Sequence, residues 1–222
     1  MNKIALVTGA SKGIGQAIAI ELAANGYDVG INYNRNKESA YQTKQTIEGM
    51  GRRAEVYQAD VGDVAAIERM FARFTEDFST LDCLVNNAGV SMFAPILEAS
   101  EEMWNTINNI DWKGTYFCTQ QAARLMVSQK KSGVIINLGS VDGVTGSSSM
   151  EYSAAKGGMI SLTKSLAVYA SPYGVRACCV SPGPVLTRAS MANMPTRLGR
   201  AAEPQELVDM IAKGLSKIRL RI

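Results

Sequence analysis

The chain holds 222 residues, 46% apolar and 19% charged, with a formal net charge of +3 and no histidine. That size suits one compact domain, residues 1–222, with a large core. The small charge, scattered apart from short basic clusters at Gln129-Lys-Lys131 and Lys217-Ile-Arg-Leu-Arg221, excludes the dense basic stripe of a nucleic-acid-binding face. The missing histidine excludes Ser-His and Cys-His nucleophiles and every histidine metal site, and no metal is expected.

Residues 3–8 form a short apolar run that stops in a glycine loop, Thr8-Gly9-Ala10-Ser11-Lys12-Gly13-Ile14-Gly15. Residues 14–24 then carry apolar side chains at helical spacing up to the stop signal Asn25-Gly26. Further strands are expected at 28–33, 54–60, 81–88, 133–140 and 176–182, with helical stretches between them long enough for crossovers. Six strands alternating with helices predict an α/β fold, a doubly wound parallel sheet of Rossmann-like type with helices on both faces. The small-residue patch Thr145-Gly-Ser-Ser-Ser149 falls between a strand and a helix, at an expected site rim.

No signal-peptide core forms, because Gly9, Gly13 and Gly15 follow residues 4–7 at once, and no run approaches the roughly 18 apolar residues of a membrane span. The chain therefore reads as cytosolic, with no membrane partner. Cys83, Cys118, Cys178 and Cys179 lack Cys-x-x-Cys spacing and read as buried, reduced thiols.

Two motifs carry chemistry. Tyr152 and Lys156 are four apart on a predicted helix, so an ammonium can lie beside a phenol and favour its ionised form. A free tyrosine titrates near about 10 and each unit is about 1.36 kcal/mol, so reaching neutrality takes roughly 4 kcal/mol of electrostatic help. A lysine alone hardly supplies that in water, whereas a cationic oxidised nicotinamide in a dry cleft adds to it. The glycine loop, spaced G-x-x-x-G-x-G between the first strand and helix, is placed as an anion site at a helix N-terminus requires. Taken singly, Asn86-Asn87-Ala88-Gly89 could be an ordinary turn, Pro182-Gly183 a strand terminator and Ser140 a helix-capping hydroxyl.

In order, Thr8-Gly9-x-x-x-Gly13-x-Gly15, Asp60-Val61, Asn86-Asn87-Ala88-Gly89, Ser140, Tyr152-x-x-x-Lys156 and Ser181-Pro182-Gly183-Pro184-Val185-Leu186-Thr187 resemble the short-chain dehydrogenase/reductase family over roughly the first 190 residues. The pattern is closest to the 3-oxoacyl-acyl-carrier-protein reductases. The resemblance implies that Tyr152 is the general acid/base, that Ser140 hydrogen-bonds the same substrate oxygen, and that Lys156 holds the nicotinamide ribose while lowering the Tyr152 pKa. It also implies that Gly9, Ser11, Lys12, Gly13, Ile14 and Gly15 cradle the cofactor and that Asp60 and Val61 meet the adenine. Asn87, Ala88 and Gly89 would meet the adenosine ribose and central cofactor, and Pro182, Gly183, Val185 and Thr187 the nicotinamide carboxamide.

An NAD site places a carboxylate at the end of the second strand; here the position is Tyr33, and Lys12 and Arg35 can pair with a phosphate, so NADP is expected ahead of NAD. Two departures from the family stand out. Where it has a catalytic asparagine, this chain has Asp111-Trp-Lys-Gly114; Ile107, Asp111, Gly114, Cys118 and Leu125 share one face of a long helical region, residues 101–131, which turns the carboxylate inward to pair with Lys156 or stay protonated. Asp111 is expected to order the water relay to Lys156 in place of the asparagine; an alignment through Asn108 or Asn109 breaks the spacing to Gly114. The second departure is residues 188–222, divergent or truncated, with a curtailed substrate flap and a seventh strand missing or reduced to an edge strand at 218–222.

The expected reaction is hydride transfer between a nicotinamide cofactor and a carbonyl or secondary alcohol, with a small-molecule or acyl-carrier-bound 3-oxoacyl thioester as substrate. The alternatives are a sugar or polyol dehydrogenase, or a catalytically weak dinucleotide-binding regulatory protein. The resemblance implies a homodimer or homotetramer through the helical regions 101–131 and 150–173; the alternative is that the sheet itself satisfies their apolar faces.

Overall fold

The computed structural model describes residues 2–187, 196 and 199–217, the side chains of 213, 214, 216 and 217 excepted. Short apolar runs rich in β-branched residues make the strands: β1 (Lys3–Val7), β2 (Tyr27–Tyr33), β3 (Ala54–Gln58), β4 (Cys83–Asn86), β5 (Gly133–Leu138) and β6 (Val175–Val180). They form one parallel sheet, among the described residues, in the order β3-β2-β1-β4-β5-β6. The order reverses between β1 and β4, which opens a crevice at the carboxyl ends of these strands.

Successive strand residues point to opposite faces, so each face gathers its own core. Ala5, Val7, Val29, Ile31, Val85 and Ile136 pack under α1 (Gly13–Ala24), α2 (Lys37–Gly49) and α8 (Pro204–Lys217). Ile4, Leu6, Leu84, Ile135 and Ala177 pack under α3 (Val64–Phe78), α5 (Thr115–Ser128) and α7 (Met150–Ala170). Gly30 leaves room there for the buried Phe74 ring: a Cβ would lie 3.0 Å from both Leu6 and Phe74.

Five strands stop short of the sequence expectation at their carboxyl ends. Thr8, Ala59-Asp60, Asn87-Ala88, Gly139-Ser140 and Ser181-Pro182 leave the ladder and turn into loops above the sheet. The expected continuous helix over 101–131 is also corrected. It is α4 (Glu101–Ile107), capped by Ser100 Oγ accepting from Met103 N at 3.1 Å, then a π-helical segment Asn108–Gly114, then α5. Ile107, Asp111, Gly114 and Cys118 are buried on the expected face, and Leu125 is half-buried. Helix α8, whose Leu207, Val208 and Ile211 complete the first core, is an element that sequence patterning missed. The expected edge strand at 218–222, and most of the expected flap, lie outside the described residues.

All four thiols are free, but only Cys83 and Cys118 are buried; Cys178 and Cys179 are half-buried. Burial pushes Cys118 up to about 12 and Cys178 up to about 11. Among the described residues no helix is long and apolar enough to cross a membrane, and no cluster of acidic, Cys or His residues could hold a metal.

Candidate active site

The crevice is built where β1, β2 and β4 end. Thr8 Oγ1 accepts from the N–H groups of Asn87 (2.9 Å) and Ala88 (3.0 Å), fixing the turn after β4 against the turn after β1. Asn87 Nδ2 donates back to the carbonyls of Thr8 and Gly9. Asn32, inside β2, accepts from Gly9 N and donates to the carbonyls of Tyr57 and Ala59, so one buried amide ties the glycine loop to the end of β3. A Cβ at Gly15 would collide with Asn87 and the Gly9 carbonyl, which is why a bare backbone is needed there.

The loop delivers the chain into α1 with Lys12 in extended conformation and no side-chain cap, leaving the first N–H groups of the helix without a side-chain acceptor there. A Cβ on Gly13 would meet nothing closer than Thr187 Cγ2 at 3.9 Å, and one on Gly183 nothing within 4 Å. Uncapped donors, a positive helix end and open space are the features a dinucleotide diphosphate fits. Ser11 and Gly15 are buried beneath it, Ile14 is half-buried, and Lys12 and Gly13 are exposed. At the β2 and β3 end, Tyr33 is buried, Arg35 is exposed, Asp60 is exposed with Oδ1 accepting from Gly62 N, and Val61 is buried. Gly89 is exposed, with Asn87 and Ala88 half-buried beside it. Beyond β6, Val141 N donates to Pro182 O and Val185 forms a parallel bridge with Ala202, which anchors the segment carrying Gly183 and Thr187.

The reacting groups meet at the other side of this opening. Tyr152 projects from the start of α7 and its hydroxyl feels the Ser140 side chain just after β5, whose Oγ accepts from Asp142 N at 3.1 Å. Lys156, 4% exposed, lies one turn on with Nζ 5.4 Å from the Tyr152 ring centroid and 3.0 Å from the Leu138 carbonyl. Nζ is also 3.0 Å from Asp111 Oδ1, off the ideal hydrogen-bonding direction, so the contact is an ion pair. Asp111, fully buried, accepts from Val90 N through Oδ2 at 2.9 Å. The close fit uses Gly89, where a Cβ would stand 2.6 Å from Asp111 Oδ1, and Gly114, where one would stand 2.5 Å from the Val61 carbonyl. Asn108 donates its amide to its own helix at Trp104 O, and a Cβ on Gly62 would lie 3.7 Å from the Asn109 Cβ; the side chain paired with Lys156 is Asp111.

Electrostatics modify the simple expectation for Tyr152. Burial raises its pKa; Lys156 lowers it, Asp111 raises it again, the Ser140 side chain lowers it and Asp142 adds a small rise. The net direction is upward, so Lys156 acts against desolvation without overcoming it. Burial likewise raises the Asp111 carboxyl, opposed by Lys156 and the Val90 N–H.

Several supporting groups escaped sequence reasoning: the Thr8 hydroxyl, Asn32, the Val90 N–H, the Leu138 carbonyl, and a buried chain in which Asn86 donates to Thr119 and Asn137 and Asn137 donates to Thr163. An asparagine inside the apolar run Val134-Ile-Ile-Asn-Leu138 is a signal that could have found the last, since a buried amide needs partners.

The sequence pattern of the short chain dehydrogenases matches residues 3–197. The chain belongs to that family. Among its relatives, the 3-oxoacyl-acyl-carrier-protein reductase FabG of Staphylococcus aureus is 40% identical over 184 residues, covering 82% of this chain and 74% of that protein. The acetoin dehydrogenase YohF of Salmonella typhimurium superposes with a TM-score of 0.91 at 30% identity, over 98% of this chain and 90% of that one. A short chain dehydrogenase from Burkholderia cenocepacia, solved in complex with NADP, gives a TM-score of 0.90 at 30% identity over 97% and 91%. As a short-chain dehydrogenase the protein is an oxidoreductase, and its Rossmann-like sheet is the one its solved neighbours share.

Proposed function

We propose that this short-chain dehydrogenase is an NADP-dependent carbonyl reductase acting on 3-oxoacyl thioesters, with residues 1–222 as one catalytic unit. The observation that supports the reaction is the Lys156 ammonium 5.4 Å from the Tyr152 ring centroid, with Ser140 acting on the same phenol and Gly89 of the turn after β4 close against Lys156. A bound reduced nicotinamide would supply hydride, two electrons with one hydrogen nucleus, to the carbonyl carbon. Tyr152 gives its phenolic proton to the carbonyl oxygen as that carbon is reduced, so an alcohol forms and a tyrosinate remains. Ser140 orients the same oxygen and Lys156 holds the tyrosinate charge until a solvent proton restores the phenol.

NADP is supported by the buried Tyr33 where a carboxylate would repel a phosphate, by the exposed Lys12 and Arg35, and by the NADP-bound neighbour. The remaining cofactor contacts are assigned to Gly9, Ser11, Gly13, Ile14, Gly15, Asp60, Val61, Asn87, Ala88, Gly89, Pro182, Gly183, Val185 and Thr187. The thioester substrate rests on the 40% identical reductase. A second reading, reduction of a small hydroxyketone, draws on the acetoin dehydrogenase likeness. The protein is assigned to the cytoplasm and to a homo-oligomer in which a second copy covers the exposed Tyr116 of α5 and Val168 and Tyr169 of α7; light scattering tests the latter.

The deciding measurement follows reduced-cofactor absorbance with NADPH and NADH separately, against an acetoacetyl thioester, acetoin and a mixed carbonyl panel, with wild type and Tyr152→Phe. NADPH oxidation with the thioester, falling about 10²-fold or more in Tyr152→Phe while cofactor affinity holds, is expected. Cofactor binding without turnover on any carbonyl would instead point to a regulatory dinucleotide-binding protein.

A further inference from the structure

The carboxylate beside Lys156 is the least expected group in the site. Asp111 is delivered by a π-helical segment, is 0% exposed, and spends one oxygen on the Val90 N–H and the other on the Lys156 ammonium at 3.0 Å. Lys156 is held from a second side by the Leu138 carbonyl, and its ammonium is the one cation at the Tyr152 ring among the described residues. The charged and titratable groups facing Tyr152 are therefore Lys156 on its own helix, Asp111 on the π-helical segment, Asp142 on the short helix α6 (Asp142–Thr145) and the Ser140 hydroxyl after β5. Among the described residues, two carboxylates and one ammonium bear electrostatically on a single phenol.

We propose that Asp111 is a positioning residue that pins Lys156 to the Leu138 carbonyl and offsets its charge at Tyr152, so that the phenol stays protonated through the neutral range as a proton donor. The inference deepens the carbonyl-reductase reading and rests on it for its kinetic half. With the phenol protonated, carbonyl reduction holds a plateau across neutral pH, and alcohol oxidation, which needs tyrosinate as base, rises until alkaline pH. The upward net shift at Tyr152, to which Asp111 contributes, agrees with this arrangement.

The test is made first on cofactor-free protein, where no turnover is needed. Tyrosinate absorbance is followed against pH for the otherwise wild-type enzyme minus its Tyr152→Phe partner, which isolates Tyr152, and again in an Asp111→Asn background. Removing one charge a few ångströms beyond the ammonium should lower the Tyr152 midpoint by about one pH unit. The pH at which kcat/KM for carbonyl reduction begins to fall should drop by the same amount, whereas a merely structural loss would scale kcat or KM at every pH. Asp111→Ser, also neutral and able to accept from Val90 N, should repeat the shift. An unchanged midpoint in both variants overturns the proposal. So does a rise, which would mean the carboxylate is needed to keep Lys156 charged, and so does failure of both neutral variants to fold. A lowered midpoint in a protein that reduces no carbonyl would leave the charge assignment standing and remove the reductase reading.

Discussion

Asp111 and Lys156 sit at 0% and 4% exposure, where leaving one of them without the other would be costly. Because burial dominates, the folded Asp111 carboxyl titrates above its unfolded value. Between those two values the folded protein keeps a proton that the unfolded chain has lost. The stability this residue contributes is therefore fully present below the unfolded pKa and lost as pH rises through the folded one. Thermal melts of wild type and Asp111→Asn should show wild type gaining relative stability as pH falls from 7 toward 4; the opposite trend would mean that the ion pair outweighs desolvation. That Asp111 turns inward was legible in the helical face it shares with Ile107 and Cys118. That burial overrides Lys156 at Tyr152 was not, because desolvation depends on what covers a phenol and not on its spacing from a lysine.

At the scale of elements, the site is assembled by strand ends held together through side chains that sequence patterning passed over. Thr8 Oγ1 alone accepts two backbone N–H groups from the turn after β4. Thr8→Val keeps the shape and removes the acceptor, leaving both donors short of a partner. Urea unfolding should show a loss of about 2 kcal/mol, and NADPH affinity should fall about tenfold, as the two turns lose register. The π-helical segment is the other element-level device. It begins after a capped α4 and ends at Gly114, where a side chain would meet the Val61 carbonyl. The sequence marked Asp111-Trp-Lys-Gly114 as unusual, but the close approach of Gly114 to the Val61 carbonyl depends on the loop after β3 and could not be read from it.

At the scale of the whole molecule, two cores on opposite faces of one sheet hold the crevice open at the β1/β4 switch point. The first depends on α8, which packs along α1 through Leu207, Val208 and Ile211. Ile211→Ala should destabilise the fold by about 3 kcal/mol by chemical denaturation, the range for deleting a large buried aliphatic side chain. Unchanged stability would mean that α8 docks too loosely to support the bridge between Val185 and Ala202.

The sequence by itself determined the alternation of strands and helices, the two-faced parallel sheet and the glycine turn into the first helix, which follow from local periodicity and turn chemistry that neighbours in the chain settle among themselves. The choice of Ser140, Tyr152 and Lys156 as the reacting set came from the family resemblance. Only the tertiary structure decided that strands end early to release Thr8, Asn87 and Ser140, that residues 108–114 wind as a π-helix, and that Lys156, expected beside Asp111, also donates to the Leu138 carbonyl. Each of these depends on a partner distant in sequence, where the burial of a charge or the approach of a carbonyl outweighs what local preference prescribes.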